Sequence, residues 1–402
     1  MKRILLAITV IFLFVLWGCT VTDIGQEEMN VPTVKSEPTM QIERSVPTEP
    51  TTAPTVPTEA ETVPQQDPAE QILGQMTLEE KVGQLFLVAC PDSDAVEAIE
   101  KYHFGGLILF GKDIEGHTPD SLTEILAQYQ QISATPMLIA VDEEGGTVCR
   151  ISGEKAFRDS RFYSPGYLME QGGLELLLQM ETEKCNLLKN LGVNVNLAPV
   201  CDIATDPDAF MYHRSLRLSP EETASTIQSI VVLMDQMRVG NVLKHFPGYG
   251  NNTDTHVAMA LDKRDLETLE KEDLLPFQAG ITVGADAIMI SHTVVSALDS
   301  QMPASLSGSV HNYLREVMGF DGVIVTDDLK MAAISDAFGD EEAAVLAVLA
   351  GNDMLCLWEY EAQYAAVLEA VQSGKITNAQ LEQAVLRILR WKQELGILDT
   401  TG

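Results

Sequence analysis

Asp254 and His256 stand one residue apart in the stretch "KHFPGYGNNTDTH", residues 244–256. On a helix two such side chains diverge. In an extended loop they share a side, so the carboxylate accepts an imidazole N–H, fixes its tautomer and suits the ring to proton transfer near neutral pH. Pro247, Gly248, Gly250, Asn251 and Asn252 lead into the pair, a backbone-permissive composition suited to a loop that closes over a site. A surface histidine with an Asx turn is the plainer alternative. Asp327 and Asp328 follow the apolar run "GVIVT", where a partly desolvated carboxylate serves as base, metal ligand or nucleophile, or as the cap of a following helix. Lys244 and His245 lie toward the end of another apolar run. His245, Asp254, His256, His292 and Asp327 could also be combined as metal ligands. Neither His-x-x-x-His nor Cys-x-x-Cys spacing is present, however, so neither metal nor cofactor is expected.

The elements that must position these residues are legible as eight short apolar runs, at 85–89, 105–110, 136–141, 193–200, 241–246, 286–291, 322–326 and 353–357. Helix-like stretches separate most of them, among them 174–191, 221–237 and 340–349, and a last one at 378–395 closes the chain. Thr77 with Glu80 three residues on forms a capping box near the start. Strands alternating with helices imply an α/β fold with a parallel sheet. Eight repeats favour a single (β/α)8 TIM-type barrel over residues 69–402, in preference to an open doubly wound sheet. In a barrel the polar residues after the third to seventh runs ("VDEEGG", "CD", "KHFPG", "SHT" and "TDDLKM") converge on the C-terminal face around one pocket.

The first 68 residues read differently. Lys2 and Arg3 precede an apolar run from Ile4 to Trp17, the layout of a secretion signal and short for a membrane span. Residues 1–19 end in "LWGC", which resembles the lipobox of bacterial lipoproteins. That resemblance implies lipidation of Cys19 and anchoring to the outer face of the cell membrane. Trp17 replaces the usual small residue, and an uncleaved signal anchor is the alternative. Residues 20–68 are rich in proline, threonine and glutamate, a composition unable to bury a core and suited to an extended, disordered tether. A formal charge of −33 argues against nucleic acid and anionic membrane surfaces as partners; a monomer is expected. Besides Cys19, the five scattered cysteines (Cys90, Cys149, Cys185, Cys201, Cys356) fit buried free thiols better than a disulfide framework.

The stretches "VDEEGGTVCRI", "GVNVNLAPVCDI", "HRS", "KHFPGYGNNTDTH", "MISHTVVSALD" and "LREVMGFDGVIVTDDLKM" together resemble glycoside hydrolase family 3, in its bacterial β-N-acetylhexosaminidase branch. The resemblance runs from about Thr77 to Leu395 and implies a β/α barrel. It implies that Asp327 is the nucleophile, and that His256 is the general acid/base with Asp254 as its partner. Asp142, Arg150, Arg214, Lys244 and His245 match sugar-binding positions. The implied activity is that of a retaining exo-β-N-acetylglucosaminidase acting on cell-wall fragments or other N-acetylhexosaminides. Two related outcomes stay open, a β-glucosidase-like exo-glycosidase and an N-acetylglucosaminide phosphorylase. From another class stands a non-catalytic surface binder of sugars. The chain departs from the family pattern at Tyr249, where histidine is usual, at Thr255 and Thr147, and in a loop one residue shorter before Asp254.

Overall fold

The computed structural model describes residues 67–92, 94–250 and 260–398. The expected signal, Cys19 and most of the expected tether therefore lie outside the described residues, as do Asp254 and His256. Asp67 and Pro68, at the end of the proline-rich segment, already belong to the folded part. Asp67 caps helix α1 (Pro68–Gln75), and Pro68 opens it, where a missing N–H costs nothing. The next helix, α2 (Leu78–Gln84), starts with the expected capping box. Thr77 N–H donates to Glu80 Oε2 at 2.7 Å, and Glu80 N–H donates to Thr77 Oγ1 at 3.2 Å.

All eight apolar runs form strands, each within a residue or two of the expected span except the fourth. They are β1 (Phe86–Ala89), β2 (Gly106–Leu109), β3 (Leu138–Val141), β4 (Val195–Asn196), β5 (Gly240–Phe246), β6 (Ala287–Ile290), β7 (Val323–Thr326) and β8 (Leu355–Leu357). Consecutive strands from β1 through β7 pair in parallel, and β1 also pairs with β8. A parallel bridge between Val325 and Met354 joins β7 to β8, and Thr326 N–H donates to Met354 O at 3.1 Å. The sheet thus closes into a TIM-type barrel. The fourth run, expected over 193–200, keeps only two residues as strand. Beyond them Leu197 to Cys201 follow β5 irregularly, through the Val200–Lys244 bridge and Cys201 N–H to Lys244 O at 2.7 Å.

Period-two alternation sorts each strand into two layers. Leu87, Ile108, Leu138, Ala140, Val195, Val242, Ala287, Met289, Val323, Val325 and Cys356 fill the barrel interior. Their neighbours Val88, Leu107, Ile139, Leu243, Ile288, Ile324 and Leu355 pack outward against the helices. The last helix, α3 (Asn378–Glu394), sends Ile388 and Trp391 into the inner cluster. Gly240 permits this: a Cβ there would meet the Trp391 ring at 3.0 Å. The helix expected at 174–191 is the second half of one running Pro165–Asn190, broken at Gly173 by a positive φ of 64°. The five described cysteines are buried and free.

Candidate active site

The inward alternation continues past the strand ends, and this places the chemistry. Asp142 follows Leu138 and Ala140, Lys244 follows Val242, and Asp327 follows Val323 and Val325 in the same parity. Three side chains from three strands therefore turn toward the barrel axis at its C-terminal face, where active sites of this architecture are built. Cys356, inside the barrel on β8, senses the convergence. Burial pushes its thiol well above the ordinary range, and the charges of Asp328, Asp327 and Asp142 add to the rise while Lys244 opposes it.

Lys244 is the centre of the arrangement, 2 % exposed and bonded to two carboxylates. Its Nζ lies 2.6 Å from Asp142 Oδ1 and 2.6 Å from Glu144 Oε1. Arg214 closes on the same glutamate, with Nε 2.9 Å from Oε2 and Nη2 2.7 Å from Oε1, a fork geometry that fixes the guanidinium plane. Burial by itself would raise Glu144, but Lys244 and Arg214 outweigh it and hold the carboxyl well below the usual range. Burial likewise opposes the charge of Lys244, yet Asp142 and Glu144 keep its ammonium above the ordinary value. The result is a cluster of opposite charges held together by direct contacts at the barrel mouth.

His245 belongs to the same network. The pairing of β5 with β6 shifts between Leu243 and Phe246, an irregularity of the kind that re-aims side chains next to a site. Asp202 Oδ2 accepts from the His245 backbone N–H at 3.1 Å and lies 2.8 Å from Nδ1, while Nε2 lies 3.3 Å from Arg214 Nη2. Arginine only donates, so the assignment satisfying both contacts is a neutral ring protonated at Nδ1. Asp202 Oδ1 also accepts from Tyr249 N–H at 2.8 Å, which ties the start of the 244–256 loop to the network. Tyr249 itself is buried, edge-on to His245 and to Phe210.

Arg150 is more peripheral, with Nη2 3.8 Å from Asp142 Oδ2. Its position is set by Glu143, whose carboxylate accepts from the backbone N–H groups of Arg150 (2.9 Å), Ile151 (2.8 Å) and Ser152 (3.3 Å). Gly145 makes the preceding turn, with φ of 105° and a backbone approach that leaves 2.3 Å between a hypothetical Cβ and Tyr163 O. Asp327 is partly exposed. Its backbone N–H donates to Ile290 O at 2.9 Å, and its Oδ1 accepts from Asp328 N–H at 2.9 Å.

Six residues named from the sequence thus fall in one site: Asp142, Arg150, Arg214, Lys244, His245 and Asp327. His292, considered above as a metal ligand, has both ring nitrogens engaged, with Ser305 Oγ at 2.7 Å and Asp328 O at 2.9 Å; it ties the end of β6 to the end of β7. Among the described residues no group of three His, Cys, Asp or Glu side chains is placed to hold a metal ion. Sequence reasoning passed over Glu143, Glu144 and Asp202 as site residues. A signal existed, because two buried cations need buried counter-charges, and "VDEEGG" and "CD" supply carboxylates at adjacent strand ends.

Residues 77–391 match the family model described as the glycosyl hydrolase family 3 N terminal domain. The chain belongs to glycosyl hydrolase family 3. Its relatives include a β-hexosaminidase of Methylococcus capsulatus, 34 % identical over 67 % of this chain and 80 % of the relative. The β-hexosaminidase LpqI of Mycobacterium tuberculosis is 30 % identical over 78 % of this chain and 82 % of that protein. Among solved structures, a family 3 β-N-acetylglucosaminidase from Paenibacillus sp. str. FPU-7 superposes with a TM-score of 0.75 at 34 % identity. That match covers 80 % of this chain and 63 % of the other. The M. tuberculosis LpqI structure gives a TM-score of 0.73 at 28 % identity, covering 81 % and 96 % respectively. The fixed ammonium and guanidinium groups of this network can donate to hydroxyl oxygens, and the Asp142 carboxylate can accept hydroxyl protons.

Proposed function

We propose that this chain is a retaining exo-β-N-acetylhexosaminidase that removes terminal β-linked N-acetylhexosamine from oligosaccharides or wall fragments. The observation that carries this reading is the buried Lys244–Glu144–Arg214–His245–Asp202 network beside Asp142, set at the barrel face that also bears Asp327. Family relatives named β-hexosaminidase support the choice of sugar. Asp142, Arg150, Arg214, Lys244 and His245 hold the terminal sugar. Asp327 attacks the anomeric carbon as the bond to the leaving oxygen breaks, and His256, steered by Asp254, gives that oxygen its proton. The resulting glycosyl ester on Asp327 is cleaved by water, whose proton returns to His256 as its oxygen bonds to the anomeric carbon.

Turnover of an aryl β-N-acetylglucosaminide, followed by trapping with a slow fluorinated substrate and peptide mapping, tests this. The label falls on Asp327, and Asp327→Asn abolishes both turnover and labelling. Label on another residue, or no turnover by folded protein, overturns the assignment. Anchoring through a lipid on Cys19 and the 20–68 tether is part of the same proposal, supported by the "LWGC" sequence. It predicts that a fatty-acid probe labels the wild-type chain in a bacterial host and leaves Cys19→Ala unlabelled.

A further inference from the structure

Two aromatic side chains extend the inward alternation beyond the charged network, and they lie side by side. Phe110 follows β2 in the parity of Ile108 and packs on the inner apolar cluster. Trp358 follows β8 in the parity of Cys356 and is 42 % exposed. Their ring centroids are 4.3 Å apart with a tilt of 35°. A single exposed hydrophobic residue is ordinary; the location of this one is not. On one side the guanidinium carbon of Arg150, the partner of Asp142, lies 5.8 Å from the Phe110 centroid. On the other, Lys330 donates its backbone N–H to Asp328 and places its ammonium 2.9 Å from both Asp340 and Glu359, the residue after Trp358. The platform therefore adjoins the strand ends that carry Asp142 and Asp327. Trp358 also lines a cleft of about 810 Å³, bordered by Asp340, Glu341, Glu342, Glu359 and Glu361.

We infer that Trp358, backed by Phe110, is the stacking platform for the sugar ring on the leaving-group side of the scissile bond, and that the acidic cleft beyond it selects uncharged leaving groups. The inference rests on the glycosidase reading given above. A pyranose presents an apolar C–H face that an open indole covers, while the cleft carboxylates accept the equatorial hydroxyl protons. Phe110 holds the indole in place, so little side-chain freedom is lost on binding. A leaving group bearing a carboxylate or phosphate meets a rim of five carboxylates against two cations, Lys330 paired to Asp340 and Glu359 and Lys375 paired to Glu342, so the rim keeps a net negative charge and like-charge juxtaposition disfavours the ligand.

The experiment uses the full chain and three substrates: methyl β-N-acetylglucosaminide, whose methyl group is too small to stack, N,N′-diacetylchitobiose, and a β-1,4 disaccharide with muramic acid at its reducing end. Trp358→Ala lowers kcat/KM for chitobiose about tenfold, the equivalent of one lost ring contact, and leaves the methyl glycoside within twofold. Trp358→Phe restores most of the loss. Wild-type protein prefers chitobiose to the carboxylate-bearing disaccharide, and added salt narrows the preference as it screens the rim. Equal losses on chitobiose and methyl glycoside would assign Trp358 to the terminal sugar, and no loss on either would remove the platform; both overturn the inference. So does a salt-independent preference or one for the charged disaccharide. Quenching of tryptophan fluorescence by chitobiose, present in wild type and weakened in Trp358→Phe, supports the platform independently of turnover. A chain that binds in this way without cleaving counts against the glycosidase reading alone.

Discussion

Glu144→Gln is the most informative single change, because it removes one charge from the centre of the buried network without removing volume. Glu144 accepts three close contacts, from Lys244 Nζ at 2.6 Å, Arg214 Nη2 at 2.7 Å and Arg214 Nε at 2.9 Å. A glutamine oxygen can keep those made by one carboxylate oxygen, but its amide then points two N–H donors at a cation. Breaking a buried ion pair from one side costs about 3–5 kcal/mol. Asp142 still neutralises Lys244, which puts the loss near the lower end, about 3 kcal/mol. For a domain of this size that lowers Tm by about 4 °C. The pH dependence adds a second readout. The folded-state pKa of Glu144 is depressed, so its stabilisation is complete above the unfolded value of about 4.3 and is lost as pH falls through the lower folded value. The Tm gap between wild type and variant is therefore constant above about pH 5 and narrows below about pH 4. With Lys244 and Arg214 released, KM for an aryl β-N-acetylglucosaminide rises about tenfold or more, the equivalent of one charge-assisted hydrogen bond. Calorimetric unfolding across pH and steady-state kinetics measure both. A Tm within a degree or so of wild type together with an unchanged KM would refute the view that Glu144 organises the site.

Two further substitutions probe other parts of the same fold. Asp202→Asn satisfies the His245 N–H groups only by turning its amide NH2 toward Tyr249 N–H, which now bonds Oδ1. We expect kcat/KM to fall about 10–100-fold, equivalent to losing one hydrogen bond to a charged group; wild-type kinetics would show that His245 needs no such support. Asp286, at the base of β6, accepts from Asn241 N and Nδ2 at 2.8 and 2.7 Å, and burial pushes its carboxyl up to about 7. For an acid raised in the folded state, the stabilising contribution is complete below the unfolded value and is lost as pH rises through the folded one. Asp286→Asn keeps an acceptor for Asn241 without the buried charge, so it gains stability relative to wild type as pH rises from about 4 to 7, by about 4 kcal/mol at most. Denaturant titrations at pH 5 and pH 8 giving the same difference would contradict this.

The sequence by itself determined the strands, the caps and which residues lie at strand ends, because these depend on neighbours close in the chain. Alternation in "PMLIAVD" and "GVIVTD" places Asp142 and Asp327 in the inward parity, and Thr77 with Glu80 marks the start of α2 whatever the rest of the chain does. The fourth run shows the limit of that logic: its apolar pattern spans eight residues, but only Val195 and Asn196 pair regularly. What tertiary structure alone decided is which charge meets which. Lys244 finds Asp142 across 102 residues and Arg214 finds Glu144 across 70, and nothing local distinguishes Glu144 from Glu143. Yet one gathers two cations while the other pins a loop by accepting backbone N–H groups. Phe110 and Trp358 are likewise unremarkable in sequence and become neighbours only because β1 lies between β2 and β8 in the closed barrel. Hydrophobic periodicity is a property of a segment, whereas the pairing of buried charges and the stacking of rings follow from barrel closure, which brings the ends of distant strands to a common rim.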